Sequence, residues 1–373
     1  MQEVVISGSG LYTPPYRISN DELVDAFNRY VERYNQENYG AIQAGQIQPL
    51  QPSSAEFIEK ASGIQQRYVM TRQGILDPEI MQPLLVEPSN DQPCWMAQMA
   101  AEAAQDALRQ ASLKADDIDL VIVAASNLQR AYPAIAIEVQ QLLGTGGYAF
   151  DMNVACSSAT FGISQAMDAI LSGMATRALV INPEICSGHV NFCDRDSHFI
   201  FGDACTAVVL ERRELSNNAQ AFVIVDRVLQ TQFSNNIRNN FGFLNRTHPQ
   251  TQFDRDKLFV QEGRKVFKEV LPLVCTLLEN QLSRAGLRAE NLKRLWLHQA
   301  NSNMNGFIAR KILGREPTPE EAPLILNEFA NTSSAGSVIA FHRYHADFKS
   351  GELGILCSFG AGYSAGSLLL RRL

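Results

Sequence analysis

Residues 107–127, ALRQASLKADDIDLVIVAASN, return in altered form 174 residues later as residues 281–301, QLSRAGLRAENLKRLWLHQAN. Each copy has a helical spacing of apolar residues, a short polar turn and an apolar run of strand length. A fixed offset between similar segments indicates a duplicated structural unit, here helix, turn and strand. The identical positions are Leu108, Ala111, Leu113, Ala115 and Asn127, which match Leu282, Ala285, Leu287, Ala289 and Asn301.

Two further pairs of segments recur in the same order. CSSA at 156–159 is similar to TSSA at 332–335, and FGDACTAVVLERR at 201–213 is similar to FGAGYSAGSLLLRR at 359–372. Alternating strand-like and helical segments are typical of an α/β fold. We therefore predict two similar α/β halves, residues 1–213 and 214–373, packed as a pseudo-dimer with a crevice between them.

Composition narrows the class of protein. The 373 residues are 46% hydrophobic and carry a formal net charge of −7, which argues against binding through nucleic-acid phosphates. No apolar run approaches the roughly 18 residues of a membrane span.

Seven irregularly spaced cysteines predict free thiols in a reducing compartment, the cytoplasm. Two segments rich in Gln, Asn and Pro, about 30–56 and 72–93, are predicted to be surface insertions with long loops.

Three polar residues at equivalent turns form a candidate catalytic set. Cys156 lies where a strand-like run gives way to small, helix-compatible residues, and a helix start there would favour its thiolate. Taken alone, it is better explained as a small apolar filler. His298 ends the apolar run of the second repeat, and Asn331 precedes the TSSA copy of the cysteine turn. The duplication places all three residues across one crevice, which favours catalysis.

The motifs NVACSSATFG, EGRKVFKEV, LHQAN, FANTSSAGS and FGAGYSAGS occur in the order found in a known family. The sequence resembles the thiolase superfamily, and within it β-ketoacyl-acyl-carrier-protein synthase III, over nearly its whole length apart from the two insertions. The resemblance implies a five-layered αβαβα fold built from two duplicated halves, and a homodimer.

The resemblance also implies an acyltransferase of fatty-acid biosynthesis that uses CoA thioesters as substrates and no separate cofactor. Cys156 would take the acyl group from an acyl-CoA primer, medium-chain rather than acetyl as one option. His298 and Asn331 would donate hydrogen bonds to the carbonyl of a malonyl-acyl-carrier-protein as CO₂ leaves. The backbone N–H groups of Cys156 and Ala361 would form the oxyanion hole.

Several matched positions depart from the family pattern at the CoA entrance. Phe57 stands where a tryptophan often stacks on the CoA adenine, and Ala61 replaces an arginine that pairs with CoA. We therefore expect the CoA headgroup to be bound differently, with Phe57 and Lys60 at the entrance. Tyr132 matches an aromatic residue that reaches across the dimer to the partner's acyl pocket.

A basic surface is expected to receive the acidic carrier protein. The matched positions are Lys268, Arg310 and Lys311, while Asn303 replaces an arginine after HQAN. Such cations would steer association more than they would raise affinity. The alternative is that they are ordinary solvated charges on helices.

Two other motifs do not support a metal or nucleotide site. The spacing of Cys186, His189, Cys193 and His198 matches no common structural-zinc pattern, so no metal is expected. GSG at 8–10 lacks the third glycine of a dinucleotide fingerprint.

Two alternative functions remain open at the level of sequence. One is a condensing or acyl-transfer enzyme of secondary metabolism, of polyketide or alkylquinolone type, with the same Cys-His-Asn set. The other is a non-catalytic partner of a condensing enzyme, against which the intact set of three argues.

Overall fold

The structure, a computed structural model, describes residues 3–373. Its strands are β1 (Val4–Tyr12), β2 (Tyr16–Ser19), β3 (Gln66–Val69), β4 (Leu120–Ala124), β5 (Tyr148–Met152), β6 (Arg177–Glu184), β7 (Ala204–Arg212), β8 (Phe222–Thr231), β9 (Ile237–Arg238), β10 (Val260–Gln261), β11 (Leu292–Leu297), β12 (Leu353–Gly360) and β13 (Ser364–Arg372). Its α-helices are α1 (Asn20–Glu37), α2 (Tyr39–Gln43), α3 (Ala55–Ser62), α4 (Trp95–Ala111), α5 (Ile135–Leu143), α6 (Ser158–Leu171), α7 (Gly263–Arg284), α8 (Ser302–Leu313), α9 (Leu326–Phe329) and α10 (Ala335–Arg343).

The helix–turn–strand unit predicted from the repeat is present twice. In the first copy, α4 is followed by a 3₁₀ turn at Ala115–Asp117 and then by β4. In the second copy, α7 is followed by a 3₁₀ turn at Ala289–Asn291 and then by β11. Both turns begin after an extended residue whose N–H is held by the side chain three positions later, Asp117 in one copy and Asn291 in the other. The prediction from the repeat is confirmed.

Nine strands form one mixed sheet in the order β11-β12-β13-β8-β1-β7-β6-β4-β5. On one side of the β1–β8 junction, β1 and β7 are antiparallel, β7 and β6 are antiparallel, and β6 and β4 are parallel. On the other side, β8, β13, β12 and β11 repeat the same relationships. The position of the boundary, between residues 213 and 214, stays a prediction.

Helices cover the sheet in layers. Helices α4 and α5 bury an apolar cluster against the outer face of β4, β6 and β7, while α7 and α8 do so against β11, β12 and β13. Between the two halves, α6 and α10 share a third cluster that includes Ile122, Ile163, Val338 and Leu356. The chain therefore has the predicted five-layered, thiolase-like arrangement, since its central helices pack on both halves of the sheet.

The two predicted insertions differ from each other. The first was expected to be a long loop, but its beginning is helical: residues 30–37 complete α1, and α2 follows at once. The apolar face of α1 buries Phe27 and Val31, which explains why a Gln- and Asn-rich sequence forms a helix here. Residues 72–93 contain no helix or strand, and Trp95 anchors them by donating from Nε1 to the Val86 carbonyl at 2.8 Å.

Candidate active site

Cys156 lies in the turn that connects β5 to α6. The preceding residue, Ala155, has a φ of 47°, and α6 begins two residues after the cysteine. Gly360, at the end of β12, packs directly against it: a Cβ on Gly360 would lie 2.6 Å from Cys156 Cβ and 2.9 Å from its Sγ. The nucleophile predicted in one half therefore touches a strand end of the other half.

Three donor groups lie near the sulfur of Cys156 and favour its thiolate. The Ser333 hydroxyl donates to it at 3.4 Å, and the backbone N–H groups of Ala361 and of Cys156 itself also act on it. Burial nevertheless outweighs these donors and raises the pKa of Cys156 to about 11. The donors around the helix start do favour the thiolate, as expected, but in the free protein burial of the sulfur outweighs them.

His298 follows β11 directly and is held by its own backbone. Its N–H donates to the Cys357 carbonyl at 2.8 Å, and its ring packs edge-on against Phe359 at 5.3 Å between centroids. Burial lowers the pKa of His298 to about 4, against a hydrogen bond with the Ser333 backbone that favours the charged form. The imidazole is therefore neutral at physiological pH and keeps one N–H donor.

Asn331 is oriented by its neighbours in the turn before α10. Its backbone N–H donates to the Ile200 carbonyl at 3.0 Å, and its Oδ1 accepts from the Ser333 N–H at 2.8 Å. Because the side-chain oxygen is occupied in this way, the amide nitrogen Nδ2 is left as a donor toward the cavity.

Cys156, His298 and Asn331 line one cavity of about 280 Å³. Most of its remaining wall is apolar, which suits an acyl chain and a pantetheine arm. The apolar wall consists of Phe199, Ile200, Phe201, Ile237, Phe259, Val266, Phe267, Val270, Met304 and Phe359. The cavity thus combines the Cys156 thiol, neutral hydrogen-bond donors on His298 and Asn331, and an apolar wall. This combination is suited to acyl transfer.

The mouth of the cavity includes some of the predicted CoA residues. Phe57 and Ala61 line it, whereas Lys60 is exposed in the last turn of α3 and is not part of the wall. Sequence reasoning missed Arg195, whose guanidinium lies 4.0 Å from the centre of the Phe57 ring. Arg195 also donates from Nε to the Pro52 carbonyl, within the first insertion, at 2.7 Å. The segment considered above for zinc therefore shapes the entrance instead.

Tyr132 does not reach the cavity of its own chain. It lies 85% exposed in the loop between β4 and α5. The three predicted carrier-protein residues are likewise exposed, on the neighbouring helices α7 and α8. Arg310 pairs with Glu316 at 2.6 Å and Lys311 with Glu279 at 3.4 Å, so both cations are partly neutralised.

The histidines of the segment considered for zinc serve packing. His198 stacks on Phe27 with 4.4 Å between ring centres, and His189 packs on Phe201 at 5.4 Å. Burial lowers the pKa of both imidazoles to about 4. Within residues 3–373, no group of three or more His, Cys, Asp or Glu side chains is arranged to hold a metal ion.

The layered fold and the thiol-bearing cavity define a condensing enzyme that transfers acyl groups. Two family models match the chain: 3-oxoacyl-[acyl-carrier-protein] synthase III over residues 150–230, and the C-terminal part of the same enzyme over residues 282–372. None of the helices in the described part of the chain is both long and apolar enough to cross a membrane.

Individual relatives agree with the family models. The β-ketodecanoyl-[acyl-carrier-protein] synthase of Pseudomonas aeruginosa is 58% identical over 349 residues, covering 94% of this chain and all of that protein. The β-ketoacyl-[acyl-carrier-protein] synthase III of Granulibacter bethesdensis is 29% identical, with both chains covered completely. The crystal structure of the synthase III from Aquifex aeolicus superposes with a TM-score of 0.76 at 26% identity, covering 99% of each chain. The chain belongs to the β-ketoacyl-acyl-carrier-protein synthase III family.

Proposed function

We propose that this protein condenses an eight-carbon acyl-CoA with malonyl-acyl-carrier-protein to give β-ketodecanoyl-acyl-carrier-protein, a starting step of fatty-acid synthesis. The observation that carries the proposal is the 58% identity, over 94% of the chain, to a β-ketodecanoyl-[acyl-carrier-protein] synthase. Its product has ten carbons, and a malonyl unit contributes two after CO₂ is lost. The primer therefore has eight.

In the first half-reaction, Cys156 attacks the acyl-CoA thioester. A bond forms between Sγ and the acyl carbon, the bond from that carbon to the CoA sulfur breaks, and the thiol proton leaves with CoA. Negative charge develops on the acyl oxygen, where the N–H groups of Cys156 and Ala361 stabilise it. The support is that both N–H groups already act on the Cys156 sulfur, beside which that oxygen would lie.

In the second half-reaction, the malonyl thioester loses CO₂ and its enolate attacks the acyl carbon. A carbon–carbon bond forms, the bond from the acyl carbon to Sγ breaks, and the sulfur recovers a proton from solvent. His298 and Asn331 donate to the malonyl carbonyl as the enolate forms. His298 suits this role because its neutral imidazole keeps one N–H donor. Asn331 suits it because its Oδ1 already accepts from the Ser333 N–H, which leaves its NH₂ group to donate.

The same proposal includes a homodimer. Strand β5 ends the nine-stranded sheet, and its outer edge presents Tyr148 and Phe150, each 37% exposed and 6.5 Å apart between ring centres. An open edge of this kind is ready to pair with the β5 of a second copy.

The proposal also includes the carrier protein, which would dock beside Lys268, Arg310 and Lys311. All seven cysteines are free, in keeping with the expected cytoplasmic location.

A competition experiment tests the proposal. The protein is incubated with an equimolar mixture of acetyl-, butyryl-, hexanoyl-, octanoyl- and decanoyl-CoA, and the acyl adduct on Cys156 is read by mass spectrometry. We expect the octanoyl adduct to dominate, and predominance of acetyl would overturn the chain-length assignment. Malonyl-acyl-carrier-protein or malonyl-CoA is then added to the acylated protein. Full turnover with malonyl-CoA would contradict the carrier-protein step and favour secondary metabolism.

A further inference from the structure

A buried carboxylate joins the two halves of the molecule behind the nucleophile. Glu184 is the last residue of β6 and is fully buried. It accepts hydrogen bonds from Ser126, which follows β4, and from Ser334, which precedes α10 in the other half. The mechanism described above makes no use of this carboxylate.

Four N–H and O–H donors converge on the two carboxylate oxygens of Glu184, and the Cys186 thiol adds a weaker fifth donor at 3.7 Å. From Ser126 come the backbone N–H at 2.9 Å and the hydroxyl at 2.6 Å. From Ser334 come the backbone N–H at 3.2 Å and the hydroxyl. An ionised carboxylate only accepts, and its two oxygens have room for about four donors. An ionised carboxylate is therefore fully hydrogen-bonded here, whereas protonation of Glu184 would force one of the serine hydroxyls to turn from donor to acceptor.

The turn held by Glu184 is the one that carries the catalytic amide. Ser333, immediately before Ser334, has a φ of 50°, and Ala330 has a φ of 57°. Residues with side chains rarely adopt this conformation, so it persists only where the surroundings impose it. Within this turn, Ser333 donates its N–H to Asn331 Oδ1 and its hydroxyl to the Cys156 sulfur. The hydrogen bonds from Ser334 to Glu184 therefore hold Ser333 in place for its contacts with Asn331 and with Cys156.

We propose that Glu184 is a positioning residue for condensation: it ties Ser334 to Ser126 and so holds Asn331 and Ser333 in register with Cys156. This inference rests on the proposed function, since it concerns the same cavity. Positioning errors of about 1 Å in an active site cost about 100-fold in rate. The residue thus acts through the turn and does not touch the substrate.

The charge state of Glu184 adds a second consequence. Burial raises its pKa to about 7. The titratable groups that face it are the thiols of Cys156, Cys186 and Cys205, and burial raises the pKa of all three above the usual value. Asp203 lies behind Cys186, and burial raises its pKa to about 6. The condensation rate should therefore increase with pH through about 7, as the carboxylate of Glu184 forms.

The test compares Glu184→Gln with Asp203→Asn. A glutamine can keep its one acceptor oxygen toward the two backbone N–H groups, which share Oε1, but its NH₂ group would replace Oε2 as the partner of the Ser126 hydroxyl and would force that hydroxyl to turn from donor to acceptor. Asp203 is the matched control, because it is also fully buried and accepts from Ser187 and Met70 at the same end of β6. Acylation by octanoyl-CoA and condensation of pre-acylated protein with malonyl-acyl-carrier-protein are measured separately from pH 5.5 to 8.5.

We expect Glu184→Gln to slow condensation about 10- to 100-fold and acylation less than about threefold. It should also remove the rise in condensation rate through pH 7. Asp203→Asn should leave the ratio of the two half-reactions and the pH profile near wild type. An unchanged ratio in Glu184→Gln, or an equal loss of both half-reactions in both variants, would overturn the inference.

A milder variant keeps the test decisive if Glu184→Gln does not fold. Ser334→Ala removes one donor to Glu184 and should shift the same ratio in the same direction, by about three- to tenfold. No shift in a folded Ser334→Ala protein would overturn the inference. Failure of the proposed function looks different, because the wild-type protein itself would then form no octanoyl adduct.

Discussion

The Ser333 hydroxyl donates a hydrogen bond to the Cys156 sulfur over 3.4 Å, and in doing so joins the turn before α10 to the turn before α6. These turns are the two members of the CSSA and TSSA pair in the sequence. Cys156 in one half thus receives a donor from the equivalent turn of the other half. This contact lowers the pKa of the cysteine, although burial raises it more.

Removing this donor should make the thiol harder to ionise. In Ser333→Ala the pKa of Cys156 rises further, so alkylation by iodoacetamide at pH 8.5 should slow about three- to tenfold. The rate is followed by loss of the free thiol in intact mass spectra. Thr332→Ala is the control, since its buried hydroxyl has no partner among the described residues. Equal rates in both variants would show that the contact has no influence on the thiol.

The proposed roles of Cys156 and Asn331 should separate by half-reaction. Cys156→Ala should form no acyl adduct, because no nucleophile remains. Asn331→Ala should acylate nearly normally and condense about 100-fold more slowly, since it loses a donor needed only for the enolate. Adduct formation and product release are measured separately by mass spectrometry. If Asn331→Ala abolished acylation as well, its assignment to the second step would be wrong.

Gly360 should tolerate no side chain. A Cβ there would lie 2.6 Å from Cys156 Cβ, closer than side chains approach in folded proteins. Gly360→Ala must therefore displace the nucleophile or the strand end, and acylation should fall more than about 100-fold. The matched control is Gly188→Ala, where a Cβ would meet nothing within 4 Å. Comparable activity of the two variants would mean that the turn can move aside without cost.

The repeat predicted a large part of this architecture because duplication leaves matching patterns at equivalent places. The pairing of VIVAASN with LWLHQAN gave β4 and β11, and the pairing of CSSA with TSSA placed Cys156 beside the turn of Asn331. Both relationships depend on local sequence and on symmetry, and each can be recognised from one chain.

Contacts between segments that share no sequence pattern could not be predicted from the sequence. Arg195 lies on Phe57 because the first insertion supplies the Pro52 carbonyl, and no pattern relates these segments. The ionisation of the Cys156 thiol was also beyond the sequence, since a helix start is visible in sequence and burial is not. Glu184 escaped notice for the same reason: a glutamate ending an apolar strand shows no sign of the donors that surround it when it is buried.

Buried neutral histidines should make the fold sensitive to acid. Burial lowers the pKa of His189, His198 and His298 to about 4, below the value of about 6.5 expected when the chain is unfolded. Their contribution to stability is complete above pH 6.5 and is lost as the pH falls toward 4. Between pH 7 and pH 5, each should reduce the free energy of unfolding by roughly 1–2 kcal/mol.

His198 allows this to be measured away from the catalytic residues. In His198→Gln, the decrease in unfolding free energy from pH 7 to pH 5 should be smaller than in wild type by about 1–2 kcal/mol, whatever the stability at pH 7. Glu184 and Asp203 have raised pKa values and act with the opposite sign, but both are present in each protein and cancel in the comparison. Urea unfolding at the two pH values gives the difference. His248→Gln, at an exposed position, should match wild type, and a similar change in both variants would exclude the burial of His198 as the cause.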